Sequence, residues 1–259
     1  MSGDYAALAH IYDTIGMDDF AEAITPRLFV YAQANFDWIG RRVLELGCGT
    51  GASARWLASH GVNITAVDVS AEMLAQARAS IDARGLGLTW KRADIRALDE
   101  SYNGVDMVLA VDVMNDLLNL RDLEAVFRVA MRALEPGKLL IFDLHTIEGL
   151  AESGRKGCTH IHDDAELSVF ADSDFDYERQ ANTTNYIIFR RHEGLWARQE
   201  AALTMRGFPL QAVAALLQRC GFNLLALLNA NFEAFDPAAG HSSRVFYFAQ
   251  KPGGTEEPQ

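Results

Sequence analysis

The stretch Val43-Leu44-Glu45-Leu46-Gly47-Cys48-Gly49-Thr50-Gly51 constrains this chain more than any other. An apolar run that ends in alternating glycines reads as a buried strand entering a tight turn, and Ala52 to Ser59 continue it as a helix. A strand, glycine turn and helix form a ligand-binding unit at the carboxyl edge of an open α/β sheet. The glycines let a ligand approach the backbone, and the helix start presents free N–H groups.

The rest of the chain keeps that rhythm. Residues 63–67 form a second strand ending at Asp68, Leu88 to Arg92 a third, residues 105–111 a fourth, and Leu139 to Phe142 a fifth that ends at Asp143. Ser70 is a predicted cap for a helix that buries Met73, Leu74, Ala77 and Ile81. Leu120, Leu123, Phe127, Ala130 and Leu134 fall at helical spacing, and Glu135-Pro136-Gly137 stops that helix. Leu210, Val213, Leu217 and Cys220 line another helix ended by Gly221, and Leu224 to Leu228 and Arg244 to Ala249 read as two last strands. Short apolar strands separated by helices indicate a parallel sheet covered on both faces.

Two regions depart from the pattern. Residues 4–38 read as helical, with Leu8, Ile11, Tyr12 and Ile15 on one face and Gly16 as the stop. A second helix starts near Asp18 and Asp19, and Pro26 is expected to split or kink it. Within residues 159–206, Asn182 to Arg191 and Trp196 to Arg206 look like long strands joined at His192-Glu193-Gly194-Leu195, with Leu167 to Phe175 as a third. The organisation expected is an N-terminal helical lid (1–38), a core (39–150), an antiparallel β cap (151–207), the end of the core sheet (208–250) and a disordered tail (251–259).

Composition narrows the partners. Lys and Arg number 23 against 35 Asp and Glu, a net charge of −12, which disfavours nucleic acid. No run reaches the roughly 18–20 apolar residues of a membrane span, and the start lacks a signal-peptide core. Cys48, Cys158 and Cys220 are odd in number and far apart, which suggests free thiols in a cytoplasmic protein. His160-x-His162 with Asp163 and Asp164 has no further soft ligand near it, so no metal is expected there. Asp112 and Asp143 at neighbouring strand ends keep a magnesium site as a minor alternative.

Gly47, Gly49 and Ala52 satisfy a dinucleotide fingerprint, and Asp68 suits a ribose in either cofactor class. Glu45 separates the classes. A carboxylate two residues before Gly47 would repel a pyrophosphate and attract a cation, and S-adenosylmethionine carries an ammonium and a sulfonium and no phosphate.

Residues 43–51 resemble motif I of class I S-adenosylmethionine-dependent methyltransferases. The likeness continues through Ala66 to Ala77, Lys91 to Ile95, Arg132 to Lys138 and Leu140 to Asp143; four motifs in order are more specific than one glycine loop. It implies a Rossmann-like seven-stranded, mostly parallel sheet with an antiparallel β cap and N-terminal helices. Ile11-Tyr12-Asp13 and the late β insertion resemble bacterial small-molecule members such as the aminosugar N,N-dimethyltransferases. Phe20 and Ala23 stand where those members often carry Tyr and Trp.

The resemblance implies that Gly47, Gly49 and Gly51 cradle the methionine part and ribose, and that Asp68 holds the ribose hydroxyls. Val69 and Met73 flank the adenine, Asp94 accepts its amino hydrogen with Ile95 beside the ring, and Tyr12 covers the cofactor. Val111 ends the fourth strand beside the methyl group, where Asp112 and Asn115 are candidates for orienting the acceptor. His145, at the same edge, is a candidate general base. The plainer readings are a core tyrosine at Tyr12, an exposed acid at Asp94, a loop acid and a helix cap at Asp112 and Asn115, and a surface histidine at His145. Phe170, Phe175, Tyr177, Tyr186, Phe189 and Trp196 are expected mainly to pack the cap.

The activity expected is methyl transfer from S-adenosylmethionine, with S-adenosylhomocysteine as product, to a nitrogen or oxygen of a small metabolite. No nucleic-acid or membrane partner is expected, and a homodimer is allowed. A non-catalytic S-adenosylmethionine-binding protein, a nicotinamide-dependent oxidoreductase and an RNA methyltransferase are the alternatives.

Overall fold

The structure is a computed structural model and describes residues 3–36, 38, 40–80 and 87–253. The predicted buried position Ile81 and residues 254–259 of the predicted tail lie outside the described residues. Seven strands form one sheet in the order β10-β11-β5-β4-β1-β2-β3. They are β1 (Arg42–Leu46), β2 (Asn63–Asp68), β3 (Leu88–Arg92), β4 (Val105–Ala110), β5 (Leu134–His145), β10 (Asn223–Asn229) and β11 (Arg244–Gln250). Strands β1 to β5 pair in parallel, and β11 runs antiparallel between β5 and β10. The chain order reverses between β1 and β4, which opens the crevice where such sheets bind ligands.

Helices cover both faces because β4 and β11 are apolar on both sides. One face packs against α5 (Leu120–Ala133) and α7 (Leu210–Arg219) through Leu123, Phe127, Val213 and Leu217. The other packs against α2 (Asp19–Phe36), α3 (Ala52–Ser59) and α4 (Ala71–Ala79) through Leu28, Ala54, Leu57 and Leu74.

Helix α2 corrects one expectation: it runs unbroken through Pro26. An interior proline costs about 3 kcal/mol. Burying a residue such as Ile24 or Leu28 contributes about 1.5–3 kcal/mol, so the two together outweigh it. The first predicted helix is shorter than its periodicity suggests. Only Tyr5–Leu8 (α1) is helical, and residues 9–16 follow as turns ending at Gly16. Leu8 and Ile11 are buried all the same, against the cap rather than the core.

The cap is a four-stranded antiparallel meander of β6 (Gly157–Asp163), β7 (Leu167–Asp176), β8 (Ala181–His192) and β9 (Leu195–Arg206), reached through α6 (Ile147–Gly154). Strand β6 was not foreseen; it is a largely exposed edge strand without an apolar alternation. The N-terminal segment is stitched to β9: Gly3 bridges Leu203, and Asp4 and Ala202 bond through the Asp4 amide and carboxylate. The first residue of the expected tail is also ordered, since the Lys251 ammonium donates to the Leu134 carbonyl at 2.6 Å.

Candidate active site

Strand β1 carries Glu45 to the sheet edge, paired with Ala66 and Leu109. The chain then turns at Gly47 and Gly49, with φ of 70° and 55°, conformations that glycine adopts without strain. A side chain on Gly47 would collide with Val113, and one on Gly49 would meet nothing within 4 Å. The turn is held by β2: the Gly47 and Cys48 amides donate to the Val67 carbonyl at 2.8 and 3.0 Å. Asp68 completes it. One carboxylate oxygen accepts from the Gly49 amide at 2.9 Å and the other from the Ser70 amide at 2.8 Å. Ser70 caps α4 by accepting from the Met73 amide, as the sequence suggests.

These elements enclose a cavity of about 320 Å3. It is bordered by Tyr12, Glu45, Gly47, Gly49, Asp68, Val69, Met73 and Val111 from the predicted cofactor set, and by Asp112. Gly51, Asp94, Ile95, Asn115 and His145 do not border it. Gly51 is the N-cap of α3 and faces Trp90. The Asp94 carboxylate is gripped by the Arg96 guanidinium, at 2.7 Å in the closest contact, and Arg96 reaches on to Asp122. Ile95 is buried in the α5 side of the core.

Glu45 is 3% exposed, and its Oε2 has no hydrogen-bond partner. Burial, reinforced by the nearby Asp68 charge, pushes its carboxyl up to about 8 despite Arg55. The Thr50 hydroxyl on the same wall is likewise buried without a partner. Unpaired buried polar atoms are costly, and where they line a cavity a ligand can supply the missing partner.

Behind Asp112, and not itself bordering the cavity, lies Arg244, a residue of β11. Its guanidinium bonds Asp143 at 2.5 Å and Asp112 at 2.8 Å, contacts His145 Nε2, and lies 3.6 Å over the Phe20 ring. Asp112 has a left-handed φ of 55°, stabilised by its amide donating to Asp143 at 2.8 Å. Burial opposes ionisation of Asp112, but Arg244 and His145 outweigh it and hold the carboxyl below the usual carboxylate range. The Asp112–Asp143 pair is therefore bridged by a guanidinium, which replaces the magnesium alternative. Among the described residues no three His, Cys, Asp or Glu side chains converge as metal ligands; His160 bonds Ser168, and His162 bonds Asp164.

Asn115 does a different job from the one expected. Its amide nitrogen donates to the His145 and Arg206 carbonyls, and its oxygen accepts from the His145 amide. That clamps β5 to β9 and leaves the side chain engaged with backbone. Its neighbour Asp116, unnoticed in the sequence, does border the cavity, as does Tyr5. In the cap, Tyr186 packs against the N-terminal segment, whereas Tyr177 and Trp196 are exposed.

Comparison with known proteins agrees with this geometry. Residues 43–137 match the family model described as "Methyltransferase domain". A Bacillus subtilis (strain 168) protein, YqeM, named provisionally as a methyltransferase, is 28% identical over 95% of this chain and 97% of its own length. The fold is similar to that of an S-adenosylmethionine-dependent methyltransferase from Clostridium acetobutylicum ATCC 824, with TM-score 0.79, 22% identity, and coverage of 96% of this chain and 99% of that one. It is also similar to the sugar N-methyltransferase KedS8 from Streptoalloteichus sp ATCC 53650, with TM-score 0.70, 16% identity, and coverage of 97% and 94%.

Proposed function

With a methyltransferase domain at residues 43–137 in a class I sheet, the chain belongs to the S-adenosylmethionine-dependent methyltransferases, and we propose that it methylates a nitrogen or oxygen of a small metabolite. The observation that carries this reading is the unpartnered, buried Glu45 Oε2 on the wall of the cavity.

The residues present fit the cofactor. Glu45 meets a cation with an unpaired carboxyl oxygen, and burial strengthens that attraction. Each Asp68 oxygen has one amide donor and keeps a second lone pair, so together they accept from a ribose diol. Gly47 and Gly49 bring backbone close to the ligand, and Val69 and Met73 supply apolar contact for the base. Bound S-adenosylmethionine supplies an electrophilic methyl group on a positively charged sulfur. Tyr5 and Tyr12 border the cavity from the N-terminal segment and would help shield the reacting atoms from water. Holding donor and acceptor in line accounts for much of the rate in such a transfer.

The Glu45 environment also disfavours a nicotinamide dinucleotide, because a pyrophosphate would face a buried acid. The net charge of −12 supports a metabolite rather than a nucleic-acid acceptor. Three free cysteines, one buried in the glycine turn, suit a reducing compartment, and we take the cytoplasm as the site of action. No helix among the described residues is long and apolar enough to cross a membrane.

Calorimetric titration with S-adenosylhomocysteine and, separately, with NADH tests the assignment. Micromolar binding of the first without the second is expected. NADH binding alone would overturn the reading, and methyl transfer to small amines and phenols separates an enzyme from a binding protein.

A further inference from the structure

Two carboxyl groups close the acceptor end of the cavity, and their surroundings differ sharply. Asp112 is an ion-paired anion, locked by Arg244 at 2.8 Å. Asp116 is 4% exposed, has no cationic side-chain partner among the described residues, and shares the cavity wall with Tyr5, whose hydroxyl favours its anionic form. Both border the same cavity, and so does Tyr5. His145, the base expected from sequence, does not, and its Nε2 is engaged by the Arg244 guanidinium.

We propose that Asp116, steadied by Tyr5, is the catalytic base that receives the acceptor's proton, while Asp112 stays ionised and orients the acceptor. The proposal rests on the methyltransferase reading above. As the new carbon–nitrogen or carbon–oxygen bond forms, the carbon–sulfur bond breaks with its electron pair left on sulfur. Asp116 takes the hydrogen of the acceptor N–H or O–H as a proton and later releases it to water. Paired groups whose environments push their proton affinities apart divide in this way into a fixed charge and a proton carrier.

The charged and titratable groups around Asp116 fit the role. Burial is the main influence and favours the protonated form; Asp112 and Asp68 add to it, while the Tyr5 hydroxyl favours the anion. The balance sets the carboxyl at about 8, close to working pH, where a base is most effective. Tyr12 is also in this group, facing both Asp112 and Asp116.

The test follows the Asp116 proton directly. Wild type, Asp116→Asn and Tyr5→Phe, isotope-labelled at the aspartate carboxyl carbon, are titrated by NMR as complexes with S-adenosylhomocysteine. Methyl transfer to a panel of primary amines and phenols is followed over the same pH range. One resonance missing from Asp116→Asn should titrate above neutrality and move to higher pH in Tyr5→Phe, which loses the hydroxyl that favours the anion. The rate should rise with pH through that midpoint, and Asp116→Asn should lose the limb and about 100-fold or more in kcat, with cofactor-product affinity within about threefold. An Asp116 carboxyl that titrates in the ordinary carboxylate range overturns the proposal, as does Asp116→Asn with wild-type kcat and pH profile. Failure of the wild type to bind S-adenosylhomocysteine would instead sink the methyltransferase reading, and the titration of the unliganded protein would still decide where the proton sits.

Discussion

The Asp68 carboxylate accepts the Gly49 amide at 2.9 Å, so the end of β2 shapes the turn that follows β1. The proposed ribose acceptor and the organiser of the glycine turn are therefore one side chain. Asp68→Ala should lower S-adenosylhomocysteine affinity by about 100-fold or more, since hydrogen bonds to charged groups contribute about 1.5–3 kcal/mol each. Asp68→Asn should keep part of it, having one acceptor oxygen. Calorimetry decides; near-wild-type affinity in the alanine variant would reject the ribose assignment.

Cofactor affinity should depend on pH through Glu45. In the free protein burial, with Asp68, sets this carboxyl at about 8, whereas an ammonium beside it requires the anion. Binding then releases a proton, and affinity should weaken as pH falls below about 8, approaching tenfold per pH unit. In Glu45→Gln that slope should vanish and affinity should be low throughout. A flat profile in the wild type would place the ligand's charge elsewhere.

The same group sets a stability trend of definite sign. Between its ordinary value of 4.5 and about 8, Glu45 keeps its proton in the folded chain and loses it in the unfolded one. Stability from this group is full below the unfolded value and declines as pH rises through that window. Glu45→Gln should therefore raise Tm at pH about 8 and bring little change at pH about 5, at roughly 2–4 °C per kcal/mol for a chain of this size. Thermal melts across the range check it; a gap that widens toward acid would reverse the sign and refute the assignment.

Removing Arg244 should be costly. Asp143 is 1% exposed, and the guanidinium is its ion-pair partner. Breaking one side of a buried pair costs about 3–5 kcal/mol, which corresponds to a Tm loss of about 10 °C. Arg244→Lys should lose less, because it keeps the charge but not the fork that spans Asp112 and Asp143. Melts of the two variants give the answer. Equal losses would mean that the fork geometry governs, and no loss in Arg244→Ala would mean that Asp143 is neutral and content without a partner.

The parts legible in the sequence were those built from local runs. The apolar strands, the glycine turn, Ser70 as a cap and Asp68 at a strand end all signal within a few residues of themselves. Arg244 did not, because its partners lie 101 and 132 residues away and meet only when β11 enters beside β5. Asp116 was hidden for a related reason: its setting depends on Tyr5, far earlier in the chain, which borders the same cavity. Strand β6 carries almost no burial to betray it, and α1 with the turns after it places Leu8 and Ile11 at helical spacing while burying them on a sheet. Asn115 was noticed for its chemistry, yet its amide serves the backbone on both sides.

The stitch between Gly3 and Leu203 has a consequence for how this protein is made. The wall that holds Tyr5 against Asp116 waits for a strand about two hundred residues downstream. A chain emerging from the ribosome can pair β1, β2 and β4 long before then, and its glycine turn can form around Asp68. Gly3 and Asp4, however, have no strand to pair with until β9 has been synthesised. The glycine-turn side of the pocket can thus form from contacts nearer in sequence, whereas the wall built on Gly3 and Leu203 requires long-range closure, which contact order makes slow.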